Sequence, residues 1–413
     1  MTATAQSTPS VPAPPKAGGG SVLFKQRVMT PGPVEVPPAV LLEMAQPIIH
    51  HRTKQFQAIF KDMSDKLARL FRTSGPVLSL AGSGTTAFEA AMISLAKPGS
   101  TVISVASGKF GERWQDIYDT YSKALGLTNV KINVPWGQAV LPEQINQALT
   151  AHANVSVVTL VHSETSTATA CDLAAIAAVT RKHDVLLLVD GITSVGAFPV
   201  EMDEWGVDAL VTGSQKAMML PPGLGYVGLG ERARARLSEV KPSGYYNLDL
   251  RRWLKSWEKN DVPFTPPVSL IRGQLAALNM IEAQGLENVW ARTRKLAAAT
   301  RAAFVAMGLT LCSQSPSDSV TGAYYPTPGG VDDKKFRAAV RDKHGIHLAG
   351  GQDGRGAEWE GKVFRVSHMG YVDGGDTLAA LCAIEAELHA MAPGKLQGQP
   401  GTALAAAGKI LLG

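Results

Sequence analysis

Short, almost continuously apolar runs that alternate with helical patterns constrain this chain more than any other feature. They stand at 76–82 (PVLSLAG), 101–108 (TVISVASG), 155–163 (VSVVTLVHS), 185–191 (VLLLVDG), 208–214 (DALVTGS) and 225–230 (GYVGLG). A strand apolar at nearly every position is buried on both faces. Between the runs, stretches such as TTAFEAAMISLA and LAAIAAVTRKHD carry helical spacing. The alternation predicts an α/β fold, a mainly parallel sheet sandwiched by helices. In such sheets ligands bind beyond the carboxyl ends of the strands, so the residues closing each run are where chemistry is expected.

From about residue 276 the pattern changes. A long amphipathic helical stretch (LNMIEAQGLENVWARTRKLAAATRAAFVAMG) leads to short strand-like runs, then GKVFRVSHMGYV and a helical TLAALCAIEAELHAM. This reads as a smaller C-terminal α+β domain. The expected division is a disordered extension at 1–20, a large domain at 21–280 that includes an N-terminal arm, a small domain at 281–393 and a loosely attached tail at 394–413. The extension, MTATAQSTPSVPAPPKAGGG, is too poor in large apolar groups to offset its ordering entropy. The tail is set off by a Gly/Pro break near 398–401.

Composition narrows the classes. Hydrophobic residues at 45% and charged residues at 18% describe an ordinary globular chain. The net charge of +5 is spread without a basic run, which argues against a nucleic-acid footprint. Cys171, Cys312 and Cys382 are odd in number and far apart, so neither a disulfide framework nor a metal-ligand cluster is expected. Free thiols, no membrane-length apolar stretch and no secretory signal pattern make a cytoplasmic location the expectation.

Three run ends carry chemistry. The first leads into AGSGTTAFEAA, where Gly82, Ser83 and Gly84 turn into a helix begun by Thr85 and Thr86, an arrangement that favours an anion such as phosphate. It matches neither the Walker loop nor GxGxxG. The fourth run ends in Asp190, which reads either as a turn cap or as a buried carboxylate with a designated cation. The fifth ends in Ser214-Gln215-Lys216; that lysine is either a surface group after a turn or a desolvated amine suited to attack an aldehyde. Taken singly each reading stays open. Together, in that order, they are the parts that hold pyridoxal phosphate: a phosphate cradle, a partner for the ring nitrogen and an amine for the aldehyde.

At this point the chain resembles the fold-type I, class V pyridoxal-phosphate aminotransferases, in particular the serine/alanine–glyoxylate aminotransferase group. The resemblance covers roughly residues 28–392. It rests on TPGPVEVPP, GSGTTAFEAA, SGKFGERW, VHSETSTA, VDGITSVGAFPVEMDEWGVDALVTGSQKAMMLPPG, FTPPVSL, GLENVW and FRVSHMGY. It implies that Lys216 forms the Schiff base and that Asp190 partners the pyridine nitrogen. Phe110 would stack on the cofactor ring, where many glyoxylate enzymes have Trp, and Ile192 would cover the opposite face. Thr165 would reach the phenolic oxygen, and Ser83, Gly84, Thr85 and Gln215 the phosphate. Thr265 would reach the phosphate of a neighbouring subunit, which implies a homodimer with shared sites; a tyrosine often found three residues earlier is Val262 here. Arg365, an arginine inside an apolar strand, would clamp the substrate α-carboxylate. His368 is expected to support the fold.

The implied activity is ping-pong transamination from a small amino acid, alanine or serine, to a 2-oxo acid such as glyoxylate or pyruvate. Phosphoserine or aspartate aminotransferases are alternatives. IIHHRTKQF at 48–56 resembles a segment that grips a substrate phosphate, which makes His51 and Arg52 candidate anion contacts. A cysteine desulfurase needs a loop cysteine that GIHLAGGQDGRG does not supply. Relatives described as soluble-hydrogenase components raise a further alternative, a non-catalytic partner subunit, which would be expected to have a damaged cofactor site.

Overall fold

Seven strands form the central sheet: β1 (Val77–Gly82), β2 (Thr101–Ala106), β3 (Thr128–Asn133), β4 (Val155–Val161), β5 (Leu186–Asp190), β6 (Ala209–Gly213) and β7 (Gly223–Leu229). The computed structural model describes residues 25–240, 244–326 and 330–413, so the extension expected at 1–20 lies outside the described residues. The strand order is β1-β7-β6-β5-β4-β2-β3. β2 pairs in parallel with β3 and β4, and β5 with β4 and β6, while β7 runs antiparallel to both neighbours. The sheet is mainly parallel and covered by helices, as its apolar runs require. The six expected strands are present. β3, in the sequence TNVKIN, was not among them, because it is an edge strand that exposes every second or third residue and has no apolar run.

Two helices position the site. α1 (Gly84–Leu95) follows β1 directly and buries nine of its twelve residues against the sheet. α2 (Lys109–Leu125) follows β2, turns Trp114 and Tyr118 inward, and ends at Gly126 with φ 65°, where a residue without Cβ is favoured. Gly111 lets α2 approach closely, since a Cβ there would stand 2.6 Å from Ala106 Cα.

Past α3 (Val268–Gln284), Gly285 breaks the helical path and α4 (Leu286–Ala306) begins. The large core takes in Val40 through Val289, and Leu296, on the same helix α4, belongs to a second core. The second unit holds a three-stranded sheet of β8 (Val320–Tyr324), β9 (Ala349–Gly350) and β10 (Val363–Ser367), ordered β8-β10-β9, with α5 (Gly374–Met391) packed near it.

The N-terminal arm touches both units: Arg27–Val28 pairs in parallel with Ile346–His347 and Met29 lies in the second core, while Val34 N donates to Gln215 O at 3.1 Å and Val40 lies in the large core. The tail is not loose. Its helix α6 (Thr402–Leu411) buries Ala403 and Ala407 in the second core, and the Glu385 carboxylate on α5 accepts from Gly401 N at 2.9 Å and Ala403 N at 3.0 Å. A carboxylate at these unsatisfied N–H groups does the work of a helix cap.

Candidate active site

The C-terminal ends of β1, β4, β5 and β6 open into one cleft. Ser83, Gly84, Thr85, Phe110, Thr165, Asp190, Ile192, Gln215 and Lys216 all line it. Nine residues named from separate stretches of sequence are thus neighbours in space. Arg113, Val161, Ser163 and Thr193 complete the lining.

Lys216 leaves β6 on a loop closed by its own backbone. Ser214 Oγ donates to Pro221 O at 2.8 Å and accepts from Leu224 N at 3.2 Å, while Leu220 N donates to Ser214 O at 3.1 Å. The arm crosses over it: Lys216 Nζ donates to Pro31 O at 2.6 Å. Gly32 must be glycine here, because its φ is +129° and a Cβ would stand 2.0 Å from Nζ. Burial pulls the amine down to about 8; Arg365 and Arg113 push the same way and Asp190 opposes. Neutral amine, the nucleophilic and basic form, is therefore accessible near neutral pH.

Asp190 ends β5 with only 2% of its surface exposed. Its Oδ1 accepts from Ile192 N at 2.8 Å and its Oδ2 from Trp114 Nε1 at 2.8 Å. Both donors are neutral. Burial, with Glu164 nearby, pushes the carboxyl up to about 7 against those bonds and the pull of Lys216. Trp114 is held by stacking on Phe88, centroids 3.9 Å apart.

The cradle is built from small residues. A Cβ on Gly84 would come 2.6 Å from Ile192 Cδ1, and Gly213 packs beside Gly84. Ser83 N donates to Thr86 Oγ1 at 3.3 Å. Gln215 Oε1 is buried with no partner among the described residues. Thr85 Oγ1 accepts from Arg113 Nη1 at 3.4 Å, and the Arg113 guanidinium lies 4.9 Å from the Phe110 ring centre.

Arg365 sits on β10, the central strand of the small sheet, and is 5% exposed. Its Nε and Nη2 donate to Gly350 O at 3.0 and 2.7 Å, and its Nη1 to Thr165 O at 2.7 Å. A buried guanidinium held only by backbone carbonyls beside the cleft is suited to an incoming carboxylate. Burial lowers it to about 10. His368 is buried outside the cleft lining, with Nε2 2.8 Å from Thr321 Oγ1, and burial lowers it to about 3.

Three expected residues lie outside this lining: Arg365 beside it, Arg52, and Thr265, whose expected place is a neighbouring subunit's cleft. Thr265 is exposed on the segment before α3. Arg52 is half-exposed and pairs with Asp261 at 2.5 Å, also donating to Val262 O at 3.2 Å. Within one chain, Arg52 is occupied by a carboxylate 209 residues away in sequence instead of facing a substrate.

Sequence reading missed four contributors: the Pro31–Gly32 crossing, Arg113, Trp114 and Glu164. Arg113 and Trp114 follow Phe110 in FGERW one helical turn on, a spacing that could have placed them beside it.

These features fit pyridoxal phosphate. Asp190 is a buried carboxylate with no cation hydrogen-bonded to it, and a protonated ring nitrogen would supply one; the Gln215 side-chain NH2 and the backbone N–H groups at the glycine-lined end of α1 offer donors for a phosphate; Lys216 is a depressed amine. The family profile described as Aminotransferase class-V matches residues 42–372, and the chain belongs to that family of pyridoxal-phosphate-dependent transaminases. It is 38% identical to the soluble hydrogenase, small subunit, of a Synechococcus strain, over 94% of this chain and 98% of that one. It is 34% identical to the L-aspartate–glyoxylate aminotransferase of Paracoccus denitrificans, over 92% and 94% of the two chains. The crystal structure of pyridoxamine–pyruvate aminotransferase from Mesorhizobium loti matches with a TM-score of 0.86 at 31% identity, covering 93% of this chain and 96% of that one.

Proposed function

We propose that this transaminase moves the amino group of a small amino acid, alanine or serine, to a 2-oxo acid such as glyoxylate or pyruvate. The observation that carries the reading is the pairing, in one cleft, of a buried carboxylate hydrogen-bonded to no cation with a depressed lysine amine, next to a buried guanidinium. When bound, pyridoxal phosphate supplies an aldehyde that takes up an amino group and a ring that accepts the electron pair left by the departing proton.

The chain's own groups do the rest. Ser83, Gly84, Thr85 and Gln215 would hold the phosphate, with Thr265 reaching it from a second subunit of a homodimer. Phe110 and Ile192 would clamp the ring from its two faces, and Thr165 would meet the phenolic oxygen. Asp190 would keep the ring nitrogen protonated. Arg365 would orient the substrate through its α-carboxylate by a bidentate contact, so that the α-C–H bond faces Lys216. Lys216 Nζ, once free of the cofactor, would lift the proton from the substrate α-carbon and return it to the carbon that had carried the aldehyde, across the nitrogen between them. A cytoplasmic location and a boundary between the two domains near residue 280 belong to the same proposal.

Aspartate and phosphoserine are the alternative donors; all four amino acids carry the carboxylate that Arg365 would hold. A partner-subunit role has support in the 38% identity to a soluble-hydrogenase protein. It is disfavoured because the cleft keeps competent chemistry at Lys216 and Asp190, with Arg365 beside it on Thr165 O. The test is the visible spectrum of purified protein with pyridoxal phosphate, before and after each of the four amino acids. Bleaching by one donor establishes transamination and names the donor. Failure to form a visible band, or an unchanged band in Lys216→Ala, returns the binding-subunit reading to first place.

A further inference from the structure

Glu164 is 1% exposed and takes no substrate-facing role in the scheme above, yet it is the most heavily bonded carboxylate around the cleft. Its Oε2 accepts from Phe110 N at 3.1 Å and Gly111 N at 3.0 Å; its Oε1 accepts from Ser166 N at 3.1 Å and Ser166 Oγ at 2.6 Å. Ser166 Oγ in turn accepts from Lys109 N at 2.9 Å. The first N–H groups of α2, which no intrahelical carbonyl can satisfy, thus all end on one carboxylate and its attendant serine. Nothing else could fill the gap between them: a Cβ on Gly108 would stand 2.4 Å from Ser166 Oγ and 2.5 Å from Glu164 Cγ.

The chain positions on either side of this knot are the informative part. α2 presents Phe110 to the cleft, and the segment after Glu164 presents Thr165, whose carbonyl holds Arg365. We propose that Glu164 is a positioning residue for the cofactor, locking the helix that carries Phe110 to the segment that carries Thr165. The inference rests on the pyridoxal-phosphate reading and adds to it an acid that touches neither cofactor nor substrate. The carboxyl offers an acceptor on each oxygen, one facing the two helix N–H groups and one facing Ser166, so a single group closes both sides of the knot. Its loss lets the first turn of α2, and Phe110 with it, leave the ring-facing position.

The test is a double-mutant cycle on cofactor affinity, read by quenching of tryptophan fluorescence as pyridoxal phosphate is titrated into cofactor-free protein, with melting curves as the fold control. Phe110→Ala removes a stacking contact and weakens binding about tenfold. Glu164→Gln, close in shape but with an NH2 donor in place of one acceptor, weakens it by about tenfold as well. If Glu164 acts through Phe110, the double variant is no weaker than Phe110→Ala alone; independent roles multiply to about a hundredfold. Should Glu164→Gln not fold, Ser166→Ala breaks two of the same bonds and keeps the carboxyl, and the same non-additivity with Phe110→Ala is expected. Additive losses, or a Glu164→Gln protein that binds as the wild type does, overturn the proposal and leave the cofactor reading standing. A wild type that does not bind pyridoxal phosphate overturns both.

Discussion

The two ends of the central sheet each bury an aspartate, and they treat it in opposite ways. At the N-terminal end, Asp208 is 3% exposed, accepts from Leu187 N at 2.8 Å, and meets Arg232 Nη1 at 3.3 Å with both oxygens. Arg232 also pairs with Asp184 at 2.9 Å. Burial pushes Asp208 upward, and Arg232, Arg181 and Arg236 pull it back. At the C-terminal end, Asp190 is equally buried but is hydrogen-bonded only to an indole and an amide, and Arg365 only to carbonyls. A folded chain that needs a buried charge for its own stability brings the counter-charge with it. Charges left with neutral partners are spaces reserved for a ligand that carries the opposite sign.

Breaking each end separately sharpens this contrast. The largest effect is expected at the ligand end: Lys216→Ala lowers kcat by about 10³-fold or more, because it removes both the attachment point and the base. Asp190→Asn follows with about a hundredfold loss in kcat, since a neutral amide cannot hold a ring nitrogen protonated. Asp208→Asn is the opposite case. It costs about 2 kcal/mol of stability by stripping Arg232 of one carboxylate, and changes kcat less than about twofold. Steady-state kinetics alongside thermal melts read both quantities. A catalytic collapse in Asp208→Asn with an unchanged melting temperature would contradict the division of labour.

Arg365→Met extends the comparison to the cations. Removing a buried guanidinium bound only to carbonyls leaves stability unchanged or raised, while KM for the amino acid rises about a hundredfold. Arg232→Met, by contrast, strands Asp208 and lowers the melting temperature by several degrees. An Arg365→Met protein that melts lower with an unaltered KM would assign Arg365 to structure.

How much of this was legible beforehand follows from whether a residue's partners are local. Asp190 and Lys216 each close an apolar run, so their strangeness is visible within a ten-residue window, and Arg365 stands out for the same reason inside VFRVS. β3 was invisible because an edge strand half in water has no apolar run to show. Glu164 looks like one more polar loop residue in HSETST; its meaning lies in N–H groups 53 and 54 positions earlier. The tail reads as detached because glycine and proline precede it, whereas the group that caps its helix, Glu385, sits on another element. Arg52 invited an anion-binding role because Asp261, far along the chain, could not be foreseen as its partner.

The smallest expected effect is also the most specific to Asp190. In the cofactor-free protein its carboxyl titrates at about 7, against an ordinary value of 3.8. Between those values the native state binds more protons than the unfolded chain, so stability is greatest at low pH and is lost as pH rises toward 7. Carried by this one group, the loss is about 2 kcal/mol, less than the full shift implies because a cleft open to solvent relaxes around the charge. Asp190→Asn removes the titration, so the melting-temperature difference between wild type and variant should change across pH 4–7 and level off above it. Pyridoxal phosphate should flatten the same slope in the wild type, since a ring cation keeps Asp190 ionised throughout. A difference that stays constant with pH would mean that Asp190 is already ionised at low pH, and its claim to be waiting for a cation would fall.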